Sequence, residues 1–200
     1  MHSFLGAPAL LLLLSGAVGG GKTSVAQALL GEHHFRKVST STYLSGLAAS
    51  QGLANEREIL QRLGDDLDLA TDFLWPVRIA VSQVEASNAP ATQMWLLDAV
   101  RKPQQIAHFR AAFPRVLHVH VTAPEEVLRT RYEQRQRLPG SRDFHSTYDQ
   151  LISHPNEIAS RGLASLADAF YDSNKLTARE IAADIVRRAR ELRHGPSGAD

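Results

Sequence analysis

The chain predicts an α/β fold, a parallel sheet covered by helices on both faces, and three observations carry that expectation. Short apolar runs at 10–14, 94–97 and 116–121 alternate with longer stretches whose apolar residues recur every three or four positions. The five leucines at 10–14 show no alternation, the pattern of a strand buried on both faces. That run turns through a glycine-rich segment, residues 16–21, straight into a helical stretch, and the junction also carries chemistry.

At 200 residues the chain suits one domain with a substantial core, and 44% apolar against 22% charged residues is ordinary for a globular protein. A net charge of +1 gives no general attraction for nucleic acid, so anion binding must come from local clusters. No apolar run approaches the length of a membrane span. With no cysteine the chain has no disulfide, no thiolate metal site and no cysteine nucleophile. The expected location is the cytoplasm, with no nucleic acid or membrane partner.

Residues 16–24 read GAVGGGKTS, a glycine, four residues, then Gly-Lys-Thr. This is a phosphate-binding loop. Several backbone N–H groups must converge on a triphosphate, and side chains at Gly16, Gly19, Gly20 and Gly21 would obstruct that approach. Lys22 reaches the β- and γ-phosphates, the Thr23 hydroxyl can join a Mg²⁺ shell, and Ser24 continues the first helical turn, whose dipole favours the same anion. A plain glycine turn would not need the Lys-Thr pair. A secretory signal would place Lys or Arg ahead of the leucines, where there is none, and cleavage near Ala17 would destroy the loop.

The first helix runs over 22–30, with Gly31 as its expected stop, and a short second strand covers 36–39. His33 and His34 alternate sides of an extended chain, so they read as surface residues rather than a metal pair. Ser39 and Thr40 lie in a polar run that caps the next helix at the ligand edge of a parallel sheet. Helices follow over 43–50 and 56–69, the second with Ile59, Leu60, Leu63 and Leu67 on one stripe and Asp65 and Asp66 on a wet face. Another runs over 72–86 on Leu74, Val77, Val81 and Val84, with Pro76 near its first turn.

The run at 93–98 ends in Asp98, which a buried parallel strand delivers to the ligand edge, where a carboxylate can orient magnesium-bound water. Arg101, three residues on, either clamps an acceptor phosphate or pairs with that carboxylate. A helix over 103–113 opens on Pro103, and a strand over 115–121 puts His118 and His120 on one face. Without a nearby third ligand these read as packed histidines bonded to neighbours. The next helix starts after Pro124 and carries Arg129, Arg131, Arg135 and Arg137 before a Pro-Gly break at 139–140, the pattern of a lid over a transferring phosphoryl group. Helical segments over 146–152 and 156–166, a fifth strand at 168–173 and a final helix over 177–193 complete the chain. Thr177 and Glu180 form a capping box for that helix, and 194–200 is a frayed tail.

On GAVGGGKTS at 16–24, VSTS at 38–41, LLDAVRKPQQI at 96–106 and TAPEEVLRTRYEQR at 122–135, the chain resembles the P-loop kinases of small metabolites, the superfamily of nucleoside monophosphate kinases and dephospho-coenzyme A kinase. Asp98 to Arg101 stands where such proteins carry Asp-Gly-Ile/Val-Arg, with Ala99 in place of the glycine. The resemblance implies a three-layer P-loop NTPase fold with a five-stranded sheet ordered 2-3-1-4-5. It also implies one domain over 1–193, with an acceptor-binding helical segment over about 42–75 and a lid over about 129–145.

The expected reaction is phosphoryl transfer from ATP with Mg²⁺ to a small phosphorylated acceptor, foremost a nucleoside monophosphate. Gly16 and Gly19 to Ser24 hold the donor, Thr23 and Asp98 hold Mg²⁺, Ser39, Thr40 and Arg101 meet the acceptor, and Lys22, Asp98, Arg101, Arg131 and Arg135 serve the transfer. Phosphorylation of a hydroxyl, as by a dephospho-coenzyme A kinase, is the alternative, with Asp98 as base. A regulatory ATPase without an acceptor is the second. A GTPase would need Asn-Lys-x-Asp, and Asn174-Lys175 lacks the aspartate.

Overall fold

Leu10–Ser15 forms strand β1, and all five of its leucines are 0% exposed. Because strand side chains alternate faces, Leu10, Leu12 and Leu14 enter one core layer and Leu11 and Leu13 the other. Each contributes about 1.5–3 kcal/mol by leaving water, which makes β1 the strand that ties the layers together.

The computed structural model describes residues 10–98, 100–138 and 147–194. After β1 come α1 (Lys22–Glu32), β2 (Arg36–Val38), α2 (Thr40–Ser50), α3 (Arg57–Ala70) and α4 (Trp75–Ala86). Then follow β3 (Met94–Asp98), α5 (Pro103–Ala112), β4 (Val116–Thr122), α6 (Glu125–Gln136), α7 (Tyr148–Ile152) and α8 (Pro155–Gly162). A 3₁₀ turn (Leu163–Leu166), β5 (Ala169–Asp172) and α9 (Ala178–His194) close the order. The sheet runs β2-β3-β1-β4-β5 with every pairing parallel, the order the sequence resemblance implies.

Helices α1 and α9 cover one face, where Val25, Leu29, Ile181 and Ile185 meet Leu12 and Val119. On the other, α4 and α5 bring Val77, Ala80, Ile106 and Phe109 against Leu11, Leu13 and Leu97. The register puts Leu14 opposite Asp98 and Ser15 opposite His120. The carboxyl ends of the three middle strands therefore open on one edge, where the chain reverses its direction of growth and parallel sheets receive ligand.

Several boundaries differ from the sequence expectation. Helix α1 continues through Gly31 to Glu32, and the turn falls at His34, whose φ of 57° takes the left-handed role expected of the glycine. Helix α4 starts at Trp75 rather than 72, because Asp72 and Phe73 are themselves left-handed, with φ of 48° and 62°. The stretch 156–166 divides into α8 and the 3₁₀ turn. In α3 the stripe is shallower than expected: Leu63 is buried, Leu69 is 80% exposed, and Asp68 is 6% exposed, its Oδ1 accepting from Trp75 Nε1 at 2.8 Å and Gln105 Nε2 at 3.1 Å. The capping box of α9 forms in both directions, Thr177 N–H to Glu180 Oε2 at 2.8 Å and Glu180 N–H to Thr177 Oγ1 at 3.3 Å. The distal part of the expected lid, 139–145, and the tail beyond 194 lie outside the described residues.

The tightest constraint is where β1 ends. Gly16 adopts φ +141°, and a Cβ there would stand 1.9 Å from the Val121 carbonyl oxygen of β4. Backbone cannot yield as a flexible side chain can, so Gly16→Ala is expected to cost about 3 kcal/mol or more and to lower Tm by at least about 6 °C. Thermal denaturation followed by circular dichroism checks this.

Candidate functional site

Residues 16–21 pass from β1 to α1 as a tight loop, with Gly20 N–H donating to the Ala17 carbonyl at 3.1 Å. Cβ atoms at Gly19 and Gly20 would meet the carbonyl oxygens of Leu128 and Val121 at 2.8 and 2.6 Å, so the loop lies flat against β4 and α6. Gly21, at φ +89°, is the N-cap of α1 and has no side chain to satisfy the helix's first N–H groups. Helices α2, α7 and α8 are instead capped by the side chains of Ser39, Thr147 and His154. An uncapped helix start behind a glycine loop offers its N–H groups and dipole to an anion. Thr23 and Ser24, next along this turn, are exposed.

Lys22 turns back over the loop, and its Nζ donates to the Gly16 carbonyl at 2.7 Å and the Ala17 carbonyl at 2.8 Å. Two of its three protons are thus spent on closing the loop, which leaves one for a phosphate oxygen. Burial lowers its pKa from the ordinary lysine value, and the charges of Arg101 and Arg135 push the same way against Asp98 and Glu157, which favour the ammonium. Those four side chains are therefore the charged company of the loop. Asp98 is half-buried at the end of β3, and Arg101 follows on the loop into α5, its N–H bonded to Gln105 Oε1 at 3.1 Å.

The α6 arginines go to different places. Arg135 passes over the Tyr132 ring at 5.8 Å on the side of Lys22. Arg131 is held at the loop's far side, with Nη1 donating to Ser173 Oγ at 2.7 Å and the Gly19 carbonyl at 3.3 Å, and Nη2 to the Ser173 carbonyl at 3.1 Å. Ser173 and Asn174 belong to the turn after β5, which therefore sits against the phosphate loop beside Gly21. Arg129 points away, bonding both oxygens of Asp149 at 3.1 and 2.6 Å. Ser39 spends its hydroxyl on the α2 cap and on Thr42 Oγ1 at 2.8 Å, and its main chain is clasped by Gln83 of α4 at 2.9 and 3.0 Å. Thr40 opens α2 beside it, and Tyr43 one turn along stacks on Trp75 with ring centroids 6.0 Å apart.

Sequence spacing did not point to α8. Glu157 accepts from the Val18 N–H of the loop at 2.9 Å, and Ser160 Oγ donates to the Gly16 carbonyl at 3.1 Å. Arg161 joins this helix to α6 and α7 through Glu157 Oε1, Glu125 Oε2 and the Tyr148 hydroxyl at 3.0, 2.7 and 3.0 Å. An i, i+3, i+4 polar face at 157, 160 and 161 is the one signal available, and it looks like any solvated helix face.

Beneath the loop, Ser15 and the two strand histidines form a buried relay. His118 Nδ1–H donates to the Leu166 carbonyl at 3.1 Å, so His118 Nε2 accepts from Ser15 Oγ at 2.7 Å. The same hydroxyl then accepts from His120 Nδ1–H at 3.0 Å, and the His120 ring stacks on Phe170. Both rings are neutral in this arrangement. Burial lowers each pKa, that of His120 to about 4, where the neighbouring imidazole of His118 and the Lys22 ammonium also disfavour a second cation. Among the described residues no group of three or more His, Cys, Asp or Glu side chains is placed to hold a metal ion, and no helix is long and apolar enough to cross a membrane.

A family model described as an AAA domain matches residues 11–151. No curated protein matches the chain. Among solved structures, a provisionally assigned kinase from Chloroflexus aurantiacus is 15% identical with a TM-score of 0.55, covering 94% of this chain and 100% of its own. A shikimate kinase from Bacteroides thetaiotaomicron is 13% identical with a TM-score of 0.53, over 93% and 99% of the two chains. TT1252 from Thermus thermophilus is 17% identical with a TM-score of 0.53, over 92% and 98%. At these identities the likeness is one of fold.

The relay predicts a pH dependence. A free histidine titrates near 6.5 and His120 here near 4, so between those values the unfolded chain holds a proton the folded chain refuses. Stability from this site is complete above pH 6.5 and is lost as the pH falls toward 4. Urea unfolding across that window is expected to show the decline, and His120→Gln to flatten it.

Proposed function

We propose that this chain, which belongs to the AAA-domain family, transfers the γ-phosphoryl group of ATP to a small molecule. The observation that carries the reading is Lys22, seated on the Gly16 and Ala17 carbonyls at an uncapped helix start, with Asp98 facing it from the next strand. A loop prepared in this way meets a triphosphate without first refolding, and fixed donors aimed at developing charge are the main source of phosphoryl-transfer catalysis. The kinase names carried by proteins of this fold agree with the reading.

In this reading Gly16 and Gly19 to Ser24 enclose the donor phosphates, while Lys22, Arg101 and Arg135 gather positive charge around the group in transfer. Arg131, fixed against Gly19 and Ser173 on the side of the β5–α9 turn, adds its charge to the loop from that flank. Thr23 and Asp98 are an oxygen donor pair of the kind Mg²⁺ takes when most of its shell is phosphate and water, so the residues present fit the ion. Bound there, Mg²⁺ would neutralise charge on the donor phosphates. The acceptor lies over residues 42–75, α2 to the start of α4, near Ser39, Thr40, Tyr43, Trp75 and Arg101. The α6 end, which carries Arg135, begins the lid over the donor.

Two acceptor classes make different demands on this end of the site. A nucleoside monophosphate brings an ionised oxygen and needs cations, whereas a hydroxyl compound needs a carboxylate to receive its proton.

ATP consumption with Mg²⁺ against a panel of nucleoside monophosphates, dephospho-coenzyme A, nucleosides, sugars and sugar acids tests the proposal. At least one acceptor is expected to accelerate turnover, Lys22→Ala to lower it about 100-fold or more, and EDTA to abolish it with Tm unchanged. Tight nucleotide binding with no acceptor effect would instead support a regulatory ATPase.

A further inference from the structure

Glu157, on α8, stands against the phosphate loop. Its Oε1 takes the Val18 N–H at 2.9 Å and Arg161 Nε at 3.0 Å. Both bonds fall on that one oxygen. Oε2 has no donor among the described residues, and no buried side-chain oxygen there lacks a partner, so Oε2 is open to solvent although the side chain is only 12% exposed. Its charge is felt at Lys22. On the other side the same helical turn is fastened to α3, with Asn156 Nδ2 donating to Asp65 Oδ1 at 3.3 Å and His154 Nε2 bonded to Gln61 Nε2 at 2.8 Å. The turn after β5, with Arg131 and Ser173, occupies the opposite flank of the loop. Glu157 is therefore on the flank toward which a phosphoryl group must leave to reach an acceptor bound against α3.

We propose that Glu157 Oε2 is the proton acceptor of the transfer, and that the acceptor is a hydroxyl compound rather than a phosphate. This rests on the phosphotransfer reading and deepens it. As the hydroxyl oxygen bonds to the γ-phosphorus, the bond from that phosphorus to the β–γ bridging oxygen breaks and leaves its electron pair on ADP. The hydroxyl proton passes to Glu157 Oε2 and from there to water. No carboxylate follows β2, where residues 39–42 are all Ser or Thr, and Glu157 and Asp98 are the acids whose charge reaches Lys22. With Asp98 placed to serve the metal, Glu157 is left for the hydroxyl. Together with Asp65, these carboxylates would repel a phosphate dianion and welcome a neutral or cationic polyol, sugar or nucleoside.

Glu157→Gln keeps an oxygen for Val18 and removes the charge, and Glu157→Asp keeps the charge while withdrawing it. Calorimetric titration with Mg²⁺ and either ADP or a nonhydrolysable ATP analogue reads the placement without chemistry. Glu157→Gln is expected to tighten the triphosphate about fivefold and leave ADP unchanged, with Glu157→Asp like the wild type. On a hydroxyl acceptor from the panel, both variants are expected to lose about 100-fold in kcat with little change in KM. Equal effects on both nucleotides, no effect on either, or undiminished Lys22-dependent transfer to a nucleoside monophosphate in Glu157→Gln would overturn the proposal. A wild-type protein that binds neither nucleotide would overturn the phosphotransfer reading itself.

Discussion

The pair of hydrogen bonds from the Lys22 ammonium to the Gly16 and Ala17 carbonyls is the interaction on which the rest of the site depends. It closes the loop on itself, aims carbonyl oxygens inward at the ammonium, and leaves the start of α1 without a side-chain cap. The bonds form only because β1 ends where it does. Gly16 passes so close to Val121 that a Cβ has no room, and the leucines before it are locked into both core layers. Stability of the central strand and shape of the phosphate loop are in this sense one property.

Around the loop the structure sorts its charges by side. The turn after β5 and Arg131 build one flank, where the guanidinium donates to two carbonyls and a hydroxyl. Helix α8 builds the other, where Glu157 and Ser160 grip the loop's N–H and C=O groups and Arg161 ties the grip to α6 and α7. Lys22, Asp98, Arg101 and Arg135 occupy the space between. The exposed ion pairs elsewhere, such as Arg110 with Asp168, contribute little by comparison.

The sheet was legible in the sequence because its cause is local: apolar runs of strand length, a glycine loop, and helical periods between them. The phosphate loop was legible for the same reason, since eight consecutive residues hold its chemistry. Boundaries failed where backbone and burial overrode pattern. Asp72 and Phe73 take left-handed turns that no composition rule announces, and His34 does what Gly31 was expected to do. Asp68, on the helix whose wet face was read at Asp65 and Asp66, is buried between Trp75 and Gln105, whose donors come from other helices. Glu157 and Ser160 were invisible because their partners lie 139 and 144 residues away in the chain. The strand histidines, by contrast, were read correctly as packed and hydrogen-bonded, since two polar rings on one buried face must find partners.

A structure with Mg²⁺ and a nonhydrolysable ATP analogue tests most directly the claim that the loop is built in advance. Residues 16–23 are expected to keep their backbone path and Lys22 both carbonyl bonds, its third proton meeting the triphosphate. A loop that must refold to admit the nucleotide, with Lys22 released from Gly16 and Ala17, would contradict it.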